Sequence, residues 1–151
     1  MKTGYTLIEL MIVITITAVM VAFGIGGYTR AQKNQNTKAA TETILTVLSE
    51  AQKQASTGGS DCSGQYLGQQ IVLQSSTITT TALCTGTNGT AQIVSLVGLT
   101  FTSSHTLTFK PLNQGLDLTG GTTENIDYSN NTDTYRIEVM RSGSIQNIGK
   151  L

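Results

Sequence analysis

The chain has 151 residues, enough for one compact domain with an extended element beside it. Its formal net charge is zero and 12% of its residues are charged, which argues against a strongly basic nucleic-acid surface and against an acidic tail. Aromatic residues make up 5% and tryptophan is absent, which argues against a large aromatic platform for ligands.

The N-terminal part of the chain is dominated by an apolar segment. From Leu10 to Thr29 there are 20 consecutive residues without a formal charge. As a helix this segment would be about 30 Å long, the thickness of a bilayer core. Glu9 lies directly before it, and a carboxylate costs roughly 2.5–3.5 kcal/mol at the centre of a membrane span. A residue placed at such a cost is expected to have a partner and a function.

Two simpler interpretations of this segment are a secretory signal peptide and a plain membrane anchor. A signal peptide has a basic start, an apolar core of about 7–15 residues and a cleavage site between small residues. The apolar stretch here is longer, no Ala-x-Ala site follows it, and a helical pattern continues from Arg30. A plain anchor stays open, but it gives Glu9 no role.

The stretch KTGYTLIELMIV, residues 2–13, resembles the processing site of type IV pilins and type II secretion pseudopilins. The resemblance implies that a prepilin peptidase removes a leader of residues 1–4 by cutting after Gly4. The new N-terminus at Tyr5 would be N-methylated, and Glu9 would be the fifth mature residue. The implied precursor crosses the inner membrane once, with its head outside the cytoplasm. After processing, inner-membrane assembly machinery would incorporate the chain into an extracellular pilus or a periplasmic pseudopilus.

In such a filament the subunits stack along their apolar helices. The neighbouring subunits are either copies of this chain or related pilins. The amine at Tyr5 of one subunit can then meet the Glu9 carboxylate of its neighbour. Each charge is costly alone, and breaking a buried pair costs about 3–5 kcal/mol. Glu9 and Tyr5 are therefore predicted to fix the alignment of subunits during assembly.

Three glycines, Gly24, Gly26 and Gly27, stand where many pilins carry a helix-breaking proline; the only proline here is Pro111. Each interior glycine costs a helix about 1 kcal/mol relative to alanine, so this is a predicted place for bending or melting on packing. The alternative is close contact between helices through small residues, and both can hold.

The next segment, residues 30–56, has the periodicity of an amphipathic helix. It is followed by a turn-forming stretch at residues 56–61. Together with the apolar segment at residues 5–29, it could form one long helix, or two helices hinged at the glycines. The predicted apolar stripe is Ala40, Ile44, Val47, Leu48, Ala51 and Ala55.

Residues 57–151 are predicted to form a β-rich globular head. Short apolar or alternating runs predict strands at residues 70–74, 76–81, 91–97, 99–102, 105–109, 135–140 and 144–148. The turn Arg141-Ser142-Gly143 predicts an antiparallel hairpin from the last two. The expected fold class is α+β: a long N-terminal helix with a hydrophobic lower half, and an antiparallel sheet packed on its upper half.

The two cysteines, Cys62 and Cys84, lie beyond the apolar segment. An even count in an exported domain predicts one disulfide, within the chain or between chains. A metal site would need more ligands, and a redox pair usually has Cys-x-x-Cys spacing.

A second resemblance covers the C-terminal part. Residues 107–115 and 135–143 resemble the C-terminal halves of GspH/FimT-type minor pilins, in which a strand and turn precede a hairpin closing on a glycine. That group often continues with arginines, whereas this chain has Ser144-Ile145-Gln146, which weakens any carry-over of DNA binding; DNA stays a possible partner that the charge does not support.

No catalytic, metal or cofactor site is predicted. The sole histidine, His105, is interpreted as a surface or half-buried strand residue, since serines are too common here for a Ser–His–acid pattern to mean anything. Asp117, Asp127 and Asp133 do not form a calcium-loop motif. Three functions remain: a filament subunit, a DNA- or surface-binding minor pilin, and an anchored periplasmic enzyme. The first accounts for the most features.

Overall fold

The computed structural model describes residues 6–58, 62–112, 114–118 and 121–151, with the backbone alone for residues 23–25. The predicted processing site at Gly4 and Tyr5 lies outside these residues. The chain forms two compact units, Met1–Asn36 and Thr37–Leu151.

One helix, α1, spans Leu7–Thr57. Thr6 caps its N-terminus: the threonine carbonyl accepts the N–H of Glu9 at 3.1 Å, and its hydroxyl accepts the same N–H at 3.4 Å. The backbone stays helical through Gly24, Gly26 and Gly27, so the single helix is observed rather than two hinged ones. The helix ends before Gly58, whose φ of 84° is the left-handed conformation common after a helix C-terminus.

The head contains two antiparallel sheets, where the sequence predicted an antiparallel sheet without the division. The strands are β1 Tyr66–Gln74, β2 Thr77–Cys84, β3 Gln92–Ser95, β4 Thr100–Phe101, β5 His105–Phe109, β6 Leu116–Asp117, β7 Thr123–Ser129, β8 Thr134–Met140 and β9 Ile145–Lys150. The first sheet has the order β3-β2-β1-β5-β6, and the second has the order β4-β7-β8-β9. The predicted β8–β9 hairpin is present, with Val139 opposite Ile145.

The predicted helix stripe is the one that enters the core of the head. Ile44, Leu48 and Ala51 are 0% exposed, and Ala55 is 1% exposed. They share one apolar cluster with strand residues of both sheets, including Ile71, Leu73, Leu107, Phe109, Ile126, Ile137 and Val139. At about 25 cal/mol per Å² of buried apolar surface, this cluster is the main stabilising contribution to the head.

Two buried polar contacts also join the helix to the head. The Thr41 hydroxyl lies 3.0 Å from the hydroxyl of Tyr128, whose ring is fully buried. The Asn130 amide donates to the Thr37 hydroxyl at 2.9 Å, while its carbonyl oxygen accepts the N–H of Asp133 at 2.9 Å. These contacts satisfy groups that would otherwise be costly to bury. Sequence reasoning missed them because Thr37 and Asn130 are 93 positions apart.

Candidate functional site

The apolar segment of α1 is exposed on every side in the single chain. The large side chains from Leu7 to Val21 are between 52% and 80% exposed. Five of them, at positions 10–14, are consecutive and therefore point around the whole circumference of a helix that turns once in about 3.6 residues. Among the described residues, α1 is long and apolar enough to cross a membrane. A helix that is apolar all round must be covered by lipid or by other chains.

Two threonine hydroxyls within this segment are already satisfied by the helix itself. Thr15 donates to the Ile12 carbonyl at 2.8 Å, and Thr17 donates to the Val13 carbonyl at 2.8 Å. Such back-bonding leaves no polar donor directed outward, so these threonines suit an apolar environment.

Glu9 lies in the first turn of α1, at the third helical position after the Thr6 cap. The spacing Thr6-x-x-Glu9 is that of a capping box, and a carboxylate is favoured at the positive end of the helix dipole. The position of Glu9 in the first turn of the helix therefore favours a carboxylate there. The cap is a signal that the sequence contained and that sequence reasoning missed.

Gly26 and Gly27 leave open surface on the helix. A Cβ atom built at either position meets nothing within 4 Å in the single chain. Their place on α1 is therefore compatible with close approach by another helix, while the choice between contact and bending stays a prediction.

Cys62 and Cys84 form a disulfide within the chain, with Cα atoms 5.7 Å apart. Cys84 is the last residue of β2, and Cys62 precedes β1. The bond therefore joins the segment before β1 to the end of the β1–β2 hairpin. It closes a loop of 22 positions and is worth about 3 kcal/mol on the chain-entropy model.

The four basic side chains of the head do not form a free cationic patch. Arg136 binds both carboxylate oxygens of Asp127, at 2.7 and 2.8 Å. Lys110 lies 3.4 Å from Asp117, and Lys150 lies 2.9 Å from Asp133. Arg141 donates to the carbonyl of Leu118 at 3.1 Å.

The carboxylates in three of these contacts belong to Asp117, Asp127 and Asp133, the aspartates that lack a calcium-loop motif. Within the described part of the chain, no group of three or more His, Cys, Asp or Glu residues is placed to hold a metal ion. The hydrogen bond from Arg136 lowers the pKa of Asp127, with a smaller contribution from the positive charge. These carboxylates therefore act as partners of basic side chains.

One cluster of polar side chains was not predicted. The Ser103 hydroxyl lies 2.7 Å from Nε2 of His105, and Nδ1 of the same imidazole lies 2.8 Å from the Glu124 carboxylate. Ser103 is in the link from β4 to β5, His105 begins β5, and Glu124 is on β7 of the other sheet. The cluster therefore bridges the two sheets.

Comparison with known families gives two short matches. Residues 1–25 match the model described as the prokaryotic N-terminal methylation motif. Residues 106–123 match the SecD/SecF GG motif, a minor match that runs from the second residue of β5 through β6 to the first residue of β7. The chain matches no curated protein and no solved structure.

Proposed function

Since the chain carries the N-terminal signal of type IV pilins and type II secretion pseudopilins, together with their fold of a long helix and an antiparallel β head, we propose that it is a structural subunit of a type IV pilus-like filament. The motif and the fold indicate a structural protein. The signal implies processing by prepilin peptidase and a membrane-anchored precursor. We propose cleavage between Gly4 and Tyr5 and N-methylation of Tyr5.

The observation that carries this proposal is the helix segment that is apolar all round and exposed. Its side chains suit the hydrocarbon core of a bilayer in the precursor. The same surface suits a bundle of equivalent helices after assembly, because either environment removes it from water. A head held together by its own core does not need this segment for its stability. The segment is therefore available for contacts between subunits.

The proposed roles of residues follow from the charges in this segment. Cleavage creates an amine at Tyr5, and the Glu9 carboxylate of a neighbouring subunit is the charge that can pair with it. An unpaired charge within an apolar bundle costs several kcal/mol, so one axial register is strongly preferred. Gly26 and Gly27, with Gly24, are proposed to let neighbouring helices approach closely or to let the helix bend during assembly.

Assembly of Glu9 variants in the native host tests this proposal. We expect Glu9→Ala and Glu9→Gln to be inserted and processed, yet to yield at least about 10-fold less sheared filament, since a pair worth more than about 1.4 kcal/mol per subunit is lost. Both variants are needed because Glu9→Gln keeps a polar side chain at the capping position. Glu42→Ala, an exposed carboxylate on the same helix, is the control and should assemble normally. Normal filament yield from both Glu9 variants would contradict the proposed pairing.

A second candidate is a minor pilin or pseudopilin of the GspH/FimT type, acting in type II secretion or DNA uptake. The β8–β9 hairpin supports it, since it closes at Gly143 with a φ of 89°, as the resemblance implied. The paired basic residues of the head do not favour a role in DNA binding. Recovery of the processed chain in the envelope alone, without surface filaments, would favour this candidate over a major pilus subunit.

A further inference from the structure

From the Ser103–His105–Glu124 cluster we infer that the head carries an activated nucleophilic serine, able to take an acyl group from small activated carboxylic esters and release it to water. The three residues lie in the head, and their chemistry is independent of filament assembly. The connectivity of the three side chains and their exposure support this role.

The connectivity is the one that serine nucleophile activation requires. The base must contact the nucleophile through one ring nitrogen and an orienting acid through the other. Here Nε2 faces the Ser103 hydroxyl at 2.7 Å and Nδ1 faces the Glu124 carboxylate at 2.8 Å. Both distances lie within the roughly 2.6–3.2 Å range for productive contact. With Nδ1–H donating to Glu124, the Nε2 lone pair is left to accept the proton of Ser103.

The exposure of the three side chains matches their roles. The His105 side chain is 11% exposed, so most of the imidazole is shielded from water, while its hydrogen bond to Ser103 lies at the surface. Glu124 is 38% exposed and approaches from β7, on the other sheet, so the imidazole is held from a second element. Ser103 is exposed and can be reached from solvent. Asp127 and Arg136 pair with each other nearby, so their charges largely offset.

The reaction follows from these positions. The Ser103 oxygen attacks the ester carbonyl and forms a new carbon–oxygen bond while its proton passes to Nε2. The ester carbon–oxygen bond breaks, and the leaving alcohol takes that proton. Water then attacks the acyl-serine, giving one proton to Nε2, and the Ser103 oxygen leaves and recovers it. Glu124 positions the imidazole and stabilises its charged form in both steps. Because Ser103 is exposed, substrates reach it from solvent. Activated esters are the proposed class because a good leaving group lowers the barrier to breaking the ester carbon–oxygen bond.

Labelling with a fluorophosphonate probe tests the inference, using the full chain in detergent micelles and mass spectrometry of the peptides. We expect the adduct on Ser103 and none in Ser103→Ala. The labelling rate should fall about 100-fold in His105→Gln, as for loss of a general base. Ser104→Ala removes the adjacent serine and should label as the wild type does. Labelling spread over many serines, or an unchanged rate in His105→Gln, would overturn the inference.

The single histidine also permits a test of the positioning role of Glu124. The long-range nitrogen-15 spectrum of the imidazole reports one residue, because His105 is the sole histidine in the chain. We expect the neutral ring to carry its proton on Nδ1, and Glu124→Gln to shift the population toward the Nε2-protonated form while slowing labelling. Melting curves of the variants serve as the control for folding. An Nε2-protonated ring in the wild type would overturn the assignment, since it could not accept the Ser103 proton.

Discussion

At the scale of single residues, the pair of Asp127 and Arg136 shows how a charged contact becomes pH-dependent stability. The two residues lie opposite each other on β7 and β8, and the guanidinium binds both carboxylate oxygens. This hydrogen bonding lowers the pKa of Asp127 below its ordinary value of about 3.9. A lowered carboxyl pKa contributes stability that is present above the ordinary value and is lost as the pH falls through the folded-state value.

We therefore expect Asp127→Asn to lower the melting temperature at pH 7 by a few degrees. The difference from the wild type should shrink as the pH falls below about 4, because the native carboxylate then becomes protonated as well. Circular dichroism melts across this range measure it. Asp117→Asn is the control, since its carboxylate is 60% exposed and lies 3.4 Å from Lys110. A difference that stays constant down to pH 2 would contradict this account.

Gly115 is a residue whose identity the structure requires. Its φ is 84°, and a Cβ atom built there would overlap the carbonyl oxygen of Arg141. The contact lies where the two sheets meet, since the N–H of Leu116 donates to the same carbonyl at 2.8 Å. No side chain fits at Gly115 without moving this backbone.

Gly115→Ala is expected to destabilise the head more than Gly98→Ala does. Both glycines have a positive φ, 84° and 75°, so both substitutions carry a conformational cost of about 1–2 kcal/mol. Gly115→Ala also makes the new Cβ overlap with backbone, which costs about 1–3 kcal/mol more. Gly98→Ala adds no such overlap, because nothing lies within 4 Å of a Cβ at that position. Urea unfolding of the two variants measures the difference. Equal losses of unfolding free energy in the two variants would contradict the predicted cost of overlap with the Arg141 carbonyl.

At the scale of elements, the upper part of α1 is held to the head by its apolar face. Leu48 is fully buried in the core cluster, among side chains from the strands. We expect Leu48→Ala to lower the free energy of unfolding by about 2–5 kcal/mol, because it leaves a cavity. The matched control is Ile93→Ala on β3, where the side chain is 67% exposed and the change should stay within about 0.5 kcal/mol. Comparable losses for both variants, measured by urea unfolding, would contradict this description of the core.

The helix and several strands were predictable because their patterns are local. The spacing of Ile44, Leu48 and Ala51 depends on the helix period alone, and His105–Phe109 alternates within five residues. Strand β7 was missed because Thr123–Ser129 is rich in Asp, Asn and Glu, which are depleted in strands. Tertiary packing overrides that preference: Ile126 and Tyr128 enter the core, and Asp127 finds Arg136 on the neighbouring strand.

Other features were beyond prediction because they depend on pairings distant in sequence. The division into two sheets follows from β5 pairing with β1 while β7 pairs with β4 and β8. The Ser103–His105–Glu124 cluster depends on that division, since Glu124 comes from the other sheet. A sequence rich in serine allows many combinations of a serine, His105 and an acidic residue. Only the fold shows that Ser103 and Glu124 are the residues that contact the imidazole.

At the scale of the whole molecule, the two units of the chain differ in whether their apolar side chains are buried. The head buries its apolar side chains within itself, whereas the segment from Leu7 to Val21 leaves its own exposed. An exposed apolar surface of this extent marks a contact with lipid or with other subunits, and it favours aggregation in water when it is left uncovered. The motif matched by residues 1–25 implies a membrane-anchored precursor, in which lipid covers this segment. In the filament that we propose, neighbouring subunits cover it instead.

The most direct test of the proposed function is the intact mass and N-terminal sequence of the chain recovered from sheared surface material of its native host. We expect a chain that begins at Tyr5, carries one added methyl group on its amine and lacks two hydrogens because of the Cys62–Cys84 disulfide. A chain in that material or in the envelope that still begins at Met1 would contradict processing, and with it the proposal that this protein assembles through its N-terminal helix.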